Sequence, residues 1–587
     1  MPGYTGRMLR VDLTAGRIEA ADTPAFLRRD FLGGRGMGVA LVAKAITEQY
    51  DSERMPLVFA SGPLVATEAP TSGRSSVVSR SPLTGTVCDC SVGGRFGTEL
   101  KKSGFDLIEI TGRSDGWVVL DVSDGRASLE PAGNLAGLNV TEARAMLGDR
   151  GSDALIGIAG EQGVRFASIV FDGHYLAGRG GLGAVMGAKR LKAVRLRGTG
   201  KITVGDPRAL REARDEIMRL LRASQAVFGE LGLSEFGTAA LVDLIHSRRM
   251  EPTGNFRKTF FENAGEYSGY RLRNLYRATK TGCRGCPILC KKVGSNGEVM
   301  PEYETASHFG ALNGNSDPRM IVEANRVCND FGIDTITAAA TIACHAEIEG
   351  RRIGPDEAIG ILREIGGMTT GRGRMLAEGS LRYARSAGRP EASMSVKGLE
   401  LPAYDPRGAY GMALAYATSN RGGCHLRAYP ISHEILRKPV ATDRFTFEGK
   451  ARIIKIAEDM NAVVDSLTAC KFVFFAASLE EYAKALSAVT GEAWDTQSLL
   501  RTGERISVLE RCLNSNNGFR AEDDDLPARF FSEEGSSSQN VRIAPIDREA
   551  FLASRSNYYR IRGCGTDGAP SADTIGRLGL GEYLPER

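Results

Sequence analysis

Residues 281–292, TGCRGCPILCKK, set Cys283, Cys286 and Cys290 in a C-x2-C-x3-C run. Three thiols so close in sequence can reach one soft metal centre, and such a centre wants a fourth ligand from elsewhere. Cys470, in DSLTACKF, is the candidate. Whatever fold forms must therefore carry residue 470 back to the run at 283–290. Three clustered cysteines plus one remote cysteine suit a [4Fe–4S] cluster. A structural zinc site also takes four thiolates, but it usually pairs two short knuckles and only one is present here. The spacing favours iron–sulfur and leaves zinc, or unliganded thiols, as alternatives. The other seven cysteines are expected to be non-ligands: Cys88 and Cys90 as strand neighbours on opposite faces, Cys328 and Cys344 in helix cores.

At 587 residues the chain is long enough for about two to four domains with ample core. Its basic and acidic residues nearly balance, at a net charge of +4, and no sustained basic run argues for a nucleic-acid partner. No apolar run is long enough for a membrane span, and the first residues lack the pattern of a secretion signal. Eleven cysteines in so long a chain do not form a disulfide framework, so a reducing cytoplasm is expected.

The fold class expected is α+β: a β-rich domain over 1–204, then two mainly helical domains over 205–394 and 395–587. Strands are expected near 8–13, 17–20, 56–61, 106–111 and 191–196. Asp124-Gly125 should close a hairpin between 117–122 and 127–130. Short helices are expected near 39–48 and 140–147. Glycine-rich loops occupy 31–38, 71–85, 91–97 and 177–187, where backbone N–H groups can approach phosphate oxygens. Gly178, Gly180 and Gly183 satisfy G-x-G-x-x-G, but no convincing βαβ unit surrounds them, and a dinucleotide site is rejected. Asp317-Pro318 should start a helix that Gly332 stops, and Asp334 should start the next, running to about 349. Further helices are expected over 445–463, 479–490 and 495–513, with a flexible segment at 533–540.

Seven segments together carry a specific likeness: APTSGRSSVVSRSPLTG (69–85), DGHYLAGRGGLGAVMGAKRLKAV (172–194), CRGCPILC (283–290), PEYET (301–305), CNDFGIDTIT (328–337), LPAYDPRGAYGMALAYATSNRGGCHLR (401–427) and DSLTACKF (465–472). Nearly end to end, the chain resembles the aldehyde ferredoxin oxidoreductase family of tungsten enzymes. The resemblance implies a β-rich base domain and two helical domains. Between them would lie a tungsten ion held by the dithiolenes of two pterins, with a [4Fe–4S] cluster nearby. Molybdenum in place of tungsten stays open. It further implies that two D-x-x-G-L-[D/C] segments hold the pterins. One corresponds to 465–470, so that Asp465 and Cys470 share a loop. The other corresponds to 329–334, with Asn329 where Asp is usual and Asp334 at its end. Asn keeps a carbonyl acceptor but no charge. Ile333, Thr468 and Ala469 also depart from the pattern, and helix capping is an alternative role for Asp334.

Arg74, Gly93 and the backbone of Ala177 correspond to positions beside the pterin phosphates and a Mg2+ that bridges them. Ser91 stands where Asn is expected, and Tyr175 where Arg is expected. By the same resemblance Glu304 and His425 are the catalytic pair, with Glu302 the near neighbour to be told apart from Glu304. The implied reaction oxidises an aldehyde with water to the acid and sends electrons through the cluster to ferredoxin or a dedicated iron–sulfur subunit. A homodimer and a hetero-oligomer are both compatible with the sequence. Arg326 replaces the His of an E-x-x-H motif that bridges subunits through iron in some members. Two rivals remain: another tungstopterin reaction, of the aryl-CoA reduction type, or a cofactor-free iron–sulfur or zinc protein.

Overall fold

The computed structural model describes residues 2–149 and 151–585. Two six-stranded sheets fill the N-terminal third. Strands β1 (Arg7–Asp12), β2 (Arg17–Asp22), β3 (Leu57–Ala60), β4 (Ser75–Arg80), β5 (Val87–Val92) and β6 (Leu107–Thr111) form the first, in the order β2-β1-β6-β3-β4-β5. Strands β7 (Val118–Ser123), β8 (Arg126–Pro131), β9 (Ser152–Leu155), β10 (Ile169–Phe171), β11 (Tyr175–Ala177) and β12 (Leu191–Arg197) form the second, in the order β11-β10-β9-β12-β7-β8. Each is antiparallel except for one parallel pair, β1 with β6 and β7 with β12. The hairpin expected at Asp124-Gly125 joins β7 to β8.

Period-two alternation decides how the layers stack. Leu9, Val11, Phe59 and Val77 of the first sheet meet Leu120, Ile169, Phe171 and Val194 of the second. Met8, Val58, Ala60 and Val78 face the other way, onto Phe31, Met37 and Val39 and onto Leu509 and Leu513 of the helix Thr496–Asn516. Strands β3 and β4 of the first sheet are thus buried on both faces. That explains β4, which lies inside the segment expected to be a glycine-rich loop. Its sequence SSVVSR looks like a turn, yet its serines are buried: Ser76 Oγ donates to Asp465 O (3.2 Å) and Ser79 Oγ to Pro56 O (2.7 Å).

The remainder is helical. Asp317 caps Pro318–Phe331, accepting from Arg319 N–H at 2.9 Å, and Gly332 ends that helix at φ +71°. The expected later helices run over Lys450–Ser466, Leu479–Thr490 and Thr496–Asn516. One apolar core joins both sides of residue 395, packing Tyr303, Phe309 and Ile321 with Met412, Leu414 and Ile454. The segment 533–540, expected to be flexible, is tied down by Gly535 N–H to Ile543 O (2.8 Å) and Ser536 N–H to Thr259 Oγ1 (2.9 Å). Among the described residues no helix is long and apolar enough to cross a membrane.

Candidate active site and cluster site

The helix Lys450–Ser466 delivers Asp465 to its C-terminal turn, and the loop after it delivers Cys470. Both are held against the first sheet by close backbone contact. Gly34, at φ +31°, lies so near that a Cβ there would come 2.4 Å from Asp465 O. The glycines of 31–38 therefore admit the protein's own chain, where the sequence suggested room for phosphate. The next loop docks too: Arg74 N–H donates to Thr468 O (3.2 Å) and Cys470 N–H to Thr71 O (2.9 Å).

These contacts bring Cys470 to the run at 283–290. Burial raises the Cys470 thiol, and Arg74 works against that rise. Cys286 is pushed up to about 12 by burial and then by Cys470. Cys290 is also raised, by burial first and then by Glu302 and Cys470. Cys286 and Cys290 pack on the apolar cluster that contains Leu467, Ala469 and Val473, the residues flanking Cys470. Among the described residues no three His, Cys, Asp or Glu converge on a point the size of one ion. Gly93 closes the group from the strand side, where a Cβ would stand 2.6 Å from Cys283 Sγ.

Arg74 links this group to the sheet. Its Nε donates to Ser91 Oγ (2.8 Å) and its Nη2 to Ser91 O (2.7 Å). Burial disfavours its charge, but Cys470 and Cys283 outweigh that and raise its pKa. Ala177 ends the edge strand β11, in register with Ile169 of β10, and is buried.

Beyond Arg74 lies a dense buried set of charges. Asp465 accepts from Lys471 Nζ at 2.7 Å on each oxygen and faces Arg35 Nη1 (3.4 Å) and Arg427 Nη1 (3.5 Å). Arg35 also forks onto Glu510, at 2.7 Å from each nitrogen. Burial opposes ionisation of Asp89, but Arg427, Arg35 and Arg421 hold its carboxyl well below the usual range. Arg35, Arg421 and Arg427 are buried with Asp89, Asp334, Asp465 and Glu510. The half-buried Arg74, Arg179 and Lys471 border them, Arg179 pairing with Asp334 at 3.3 Å and lying beside the buried Glu400. The N–H donors of these half-buried cations are a set that an anionic group fits.

Glu304 sits in the first turn of the helix Tyr303–Phe309. Its Oε2 accepts from Ala403 N–H at 2.9 Å, and its buried Oε1 has no hydrogen-bond partner. That free oxygen is 3.5 Å from His425 Nε2. Burial pushes Glu304 up to about 8. Burial, with Arg179 and Arg421, holds His425 well below its usual value. At neutral pH both groups are therefore mainly uncharged, for all their ion-pair distance. The His425 ring packs on Tyr404 and Tyr429, with centroids at 5.6 and 6.1 Å. Glu302 is plainly different. Burial opposes its charge, but Lys291 at 2.6 Å lowers its pKa, and Thr238 also donates to it.

A cavity of ≈ 190 Å³ brings Glu304 together with Asn329, Asp334 and Thr335. Asp334 caps the helix Thr335–Ile348, accepting from Ile336 N–H (3.1 Å) and Thr337 N–H (3.3 Å), so the capping role is real. Thr337 Oγ1 (2.7 Å) and Arg179 Nη1 (3.3 Å) also donate to Asp334 Oδ2, so only Oδ1, with the single bond from Ile336, keeps an acceptor position.

Sequence models of the family described as "Aldehyde ferredoxin oxidoreductase, N-terminal domain" and "Aldehyde ferredoxin oxidoreductase, domains 2 & 3" match residues 8–198 and 212–580. The chain belongs to the aldehyde ferredoxin oxidoreductase family. It is 37% identical to the tungsten-containing aldehyde ferredoxin oxidoreductase of Pyrococcus furiosus, over 99% of this chain and 100% of the relative. The enzyme of the same name from Thermococcus kodakarensis is also 37% identical, over the whole of both chains. An aliphatic sulfonate oxidoreductase WOR-like subunit of Pyrococcus furiosus is 28% identical over 100% of this chain and 98% of the relative. In fold the chain is similar to a solved active-site complex, BamBC of benzoyl coenzyme A reductase. The TM-score is 0.85 at 23% identity, over 99% of this chain and 98% of that one.

For this member of the aldehyde ferredoxin oxidoreductase family, sequence reasoning missed several site residues. Arg421 and Arg427 lie in the quoted NRGGCHLR, and Arg179 in the quoted GRGG, so a signal existed. Cys424 also went unweighed. Its Sγ accepts from Arg421 Nε (3.2 Å) and Leu426 N–H (3.3 Å); burial opposes ionisation, but Arg421 and Arg427 lower its pKa. Cys88 and Cys90 do not face opposite ways. Residues two apart on a strand share a face, and both thiols reach Arg179 O, at 3.7 and 3.2 Å. Cys328 and Cys344 lie in the helical core as expected.

Proposed function

We propose that the protein oxidises an aldehyde with water to the carboxylic acid, holding a tungsten–bispterin centre and one [4Fe–4S] cluster. One observation carries the reading: a carboxyl oxygen, Glu304 Oε1, buried and unpartnered beside a neutral imidazole at the edge of a network of buried and half-buried charges. The name of the relatives at 37% identity concerns the same chemistry and supports it. When bound, the tungsten centre supplies the two-electron redox change and the cluster passes electrons on singly.

Cys283, Cys286, Cys290 and Cys470 would hold the cluster. Asn329, Asp334 and Asp465 would face the paired N–H donors of the pterins. Arg74, Ser91, Gly93 and the Ala177 backbone would hold the phosphate end, with Mg2+ between the phosphates. The reaction, RCHO + H2O → RCOOH + 2H+ + 2e−, must place and remove protons. Glu304 Oε1, once ionised, takes a proton from water. His425 Nε2 shares that proton and can offer it to the carbonyl oxygen of the aldehyde. Such roles are each worth on the order of 10²–10⁴-fold.

We assign ferredoxin or a dedicated iron–sulfur subunit as electron acceptor. We assign a reducing cytoplasm as the compartment, since eleven cysteines spread over 587 residues are not the pattern of a disulfide framework. We read the helical part as two domains meeting near 395, one supplying the cysteine run and the other Cys470. Elemental analysis of anaerobically prepared protein, then an aldehyde series with a viologen acceptor, tests the reading. About one tungsten and four irons per chain are expected, with aldehyde-dependent viologen reduction. Zinc alone, or metal-replete protein inert toward every aldehyde, would overturn it.

A further inference from the structure

A groove of ≈ 670 Å³ opens beside the cysteine run. One wall is the 71–73 loop, whose Thr71 carbonyl holds the Cys470 N–H. Another is the stretch between the ligands themselves, Arg284, Gly285 and Pro287. The third is the helix Pro207–Ala223. Arg284 and Gly285 are exposed, and nothing lies within 4 Å of a Cβ built on Gly285. At this lip a visiting surface can come within one residue of Cys283 and Cys286.

The groove is basic. Lys102, Arg214, Arg222 and Arg284 line it, against Glu68 and Asp215. Both acids are spent on Arg214, at 2.6 and 3.0 Å. Arg284 turns to Glu99 at 2.9 Å. Among the described residues Lys102 and Arg222 have no ion-pair partner. Counting Glu99, four cations face three acids, and the two cations without a partner line the groove that opens beside the cysteine run.

We propose that this groove is the docking site of a small, acidic, single-electron iron–sulfur carrier. The proposal rests on the function stated above, since each aldehyde oxidised releases two electrons and two protons and so reduces two such carriers. Complementary charge would steer the carrier to the lip, and the bare Gly285 backbone would let it approach the ligand loop. Steering acts on encounter more than on chemistry, and unlike charges near a cleft raise on-rates by roughly 10–10³-fold.

The test uses the metal-replete protein and a bacterial ferredoxin with a single [4Fe–4S] cluster, with Lys102→Glu, Arg222→Glu and their combination. The double variant should lose about tenfold or more in kcat/KM for ferredoxin at low salt. The deficit should shrink as salt shortens the screening length from about 10 Å at 0.1 M to about 3 Å at 1 M. Calorimetric binding of oxidised ferredoxin, which needs no turnover, should weaken in parallel. Viologen-linked activity should stay at the wild-type level, and Lys102→Gln with Arg222→Gln should show a smaller effect in the same direction. Unchanged ferredoxin binding and kinetics in the double variant, with viologen activity intact, would overturn the docking site. Wild-type protein inert toward aldehydes and viologen would overturn the function instead, and the binding measurement would still report on the groove.

Discussion

Replacing Glu304 by Gln separates a catalytic carboxyl from a structural one. The amide carbonyl can still accept the Ala403 N–H at 2.9 Å, so the helix start stays anchored, while the ionisable oxygen facing His425 is lost. Burial puts the Glu304 carboxyl at about 8, against 4.5 for an ordinary one. At pH 7 only about one tenth of it is ionised. If the ionised form is the base, wild-type kcat/KM should climb about tenfold from pH 7 to pH 9 and level off above about 8. His425 is held too low to titrate in that range. Glu304→Gln should lose about 10²-fold or more in kcat and show no such climb, while keeping its tungsten and iron.

Stability gives an independent readout of the same carboxyl. Its folded value is raised, so the stability tied to the neutral form is fully present below 4.5 and is lost as pH rises through about 8. The gap corresponds to about 5 kcal/mol as a ceiling. The melting temperature of wild type should therefore fall between pH 5 and pH 9 more steeply than that of Glu304→Gln. A variant with wild-type turnover and an unchanged pH profile would refute the assignment and shift attention to Glu302. An inflection near 8 that survives in the variant would implicate a different group, such as Lys189 or Lys292, both lowered to about 8 by burial.

Cys470→Ala should lose most cluster iron and its EPR signal, whereas Cys88→Ser with Cys90→Ser should keep full iron; the reverse would mean the wrong thiols were chosen. His425→Asn should lower kcat by about 10²-fold with metal content unchanged, and loss of tungsten in this variant would show that His425 is structural. Gly34→Ala forces a Cβ to 2.4 Å from Asp465 O at φ +31°. It should destabilise by about 2 kcal/mol or more and reduce tungsten loading, and a melting curve like that of wild type would contradict this packing.

Much of the site was legible because its chemistry needs unusual spacing. The cysteine run asked for a remote partner, and the family resemblance, carried by PEYET and GGCHLR, marked Glu304 and His425, which the fold brings to 3.5 Å. The strand β4 was hidden because its serines imitate a turn, and only burial on both faces makes them strand residues. The roles of Arg35 and Asp89 were hidden for another reason. Arginine is ordinarily a surface residue, and nothing local says that Arg35 will be buried between Asp465 and Glu510, hundreds of positions away. Cys88 and Cys90 were misjudged by a parity error that the strand itself corrects.

The remote position of Cys470 has a consequence for the chain as a polymer. Any group that bonds both Cys290 and Cys470 closes a loop of on the order of 180 residues, which in the chain-entropy account removes about 5 kcal/mol of freedom from the unfolded ensemble. The cluster would then act as a topological knot-point as well as an electron relay. Chelation would release a long arc of chain at once, and refolding without metal would have to find that closure unaided.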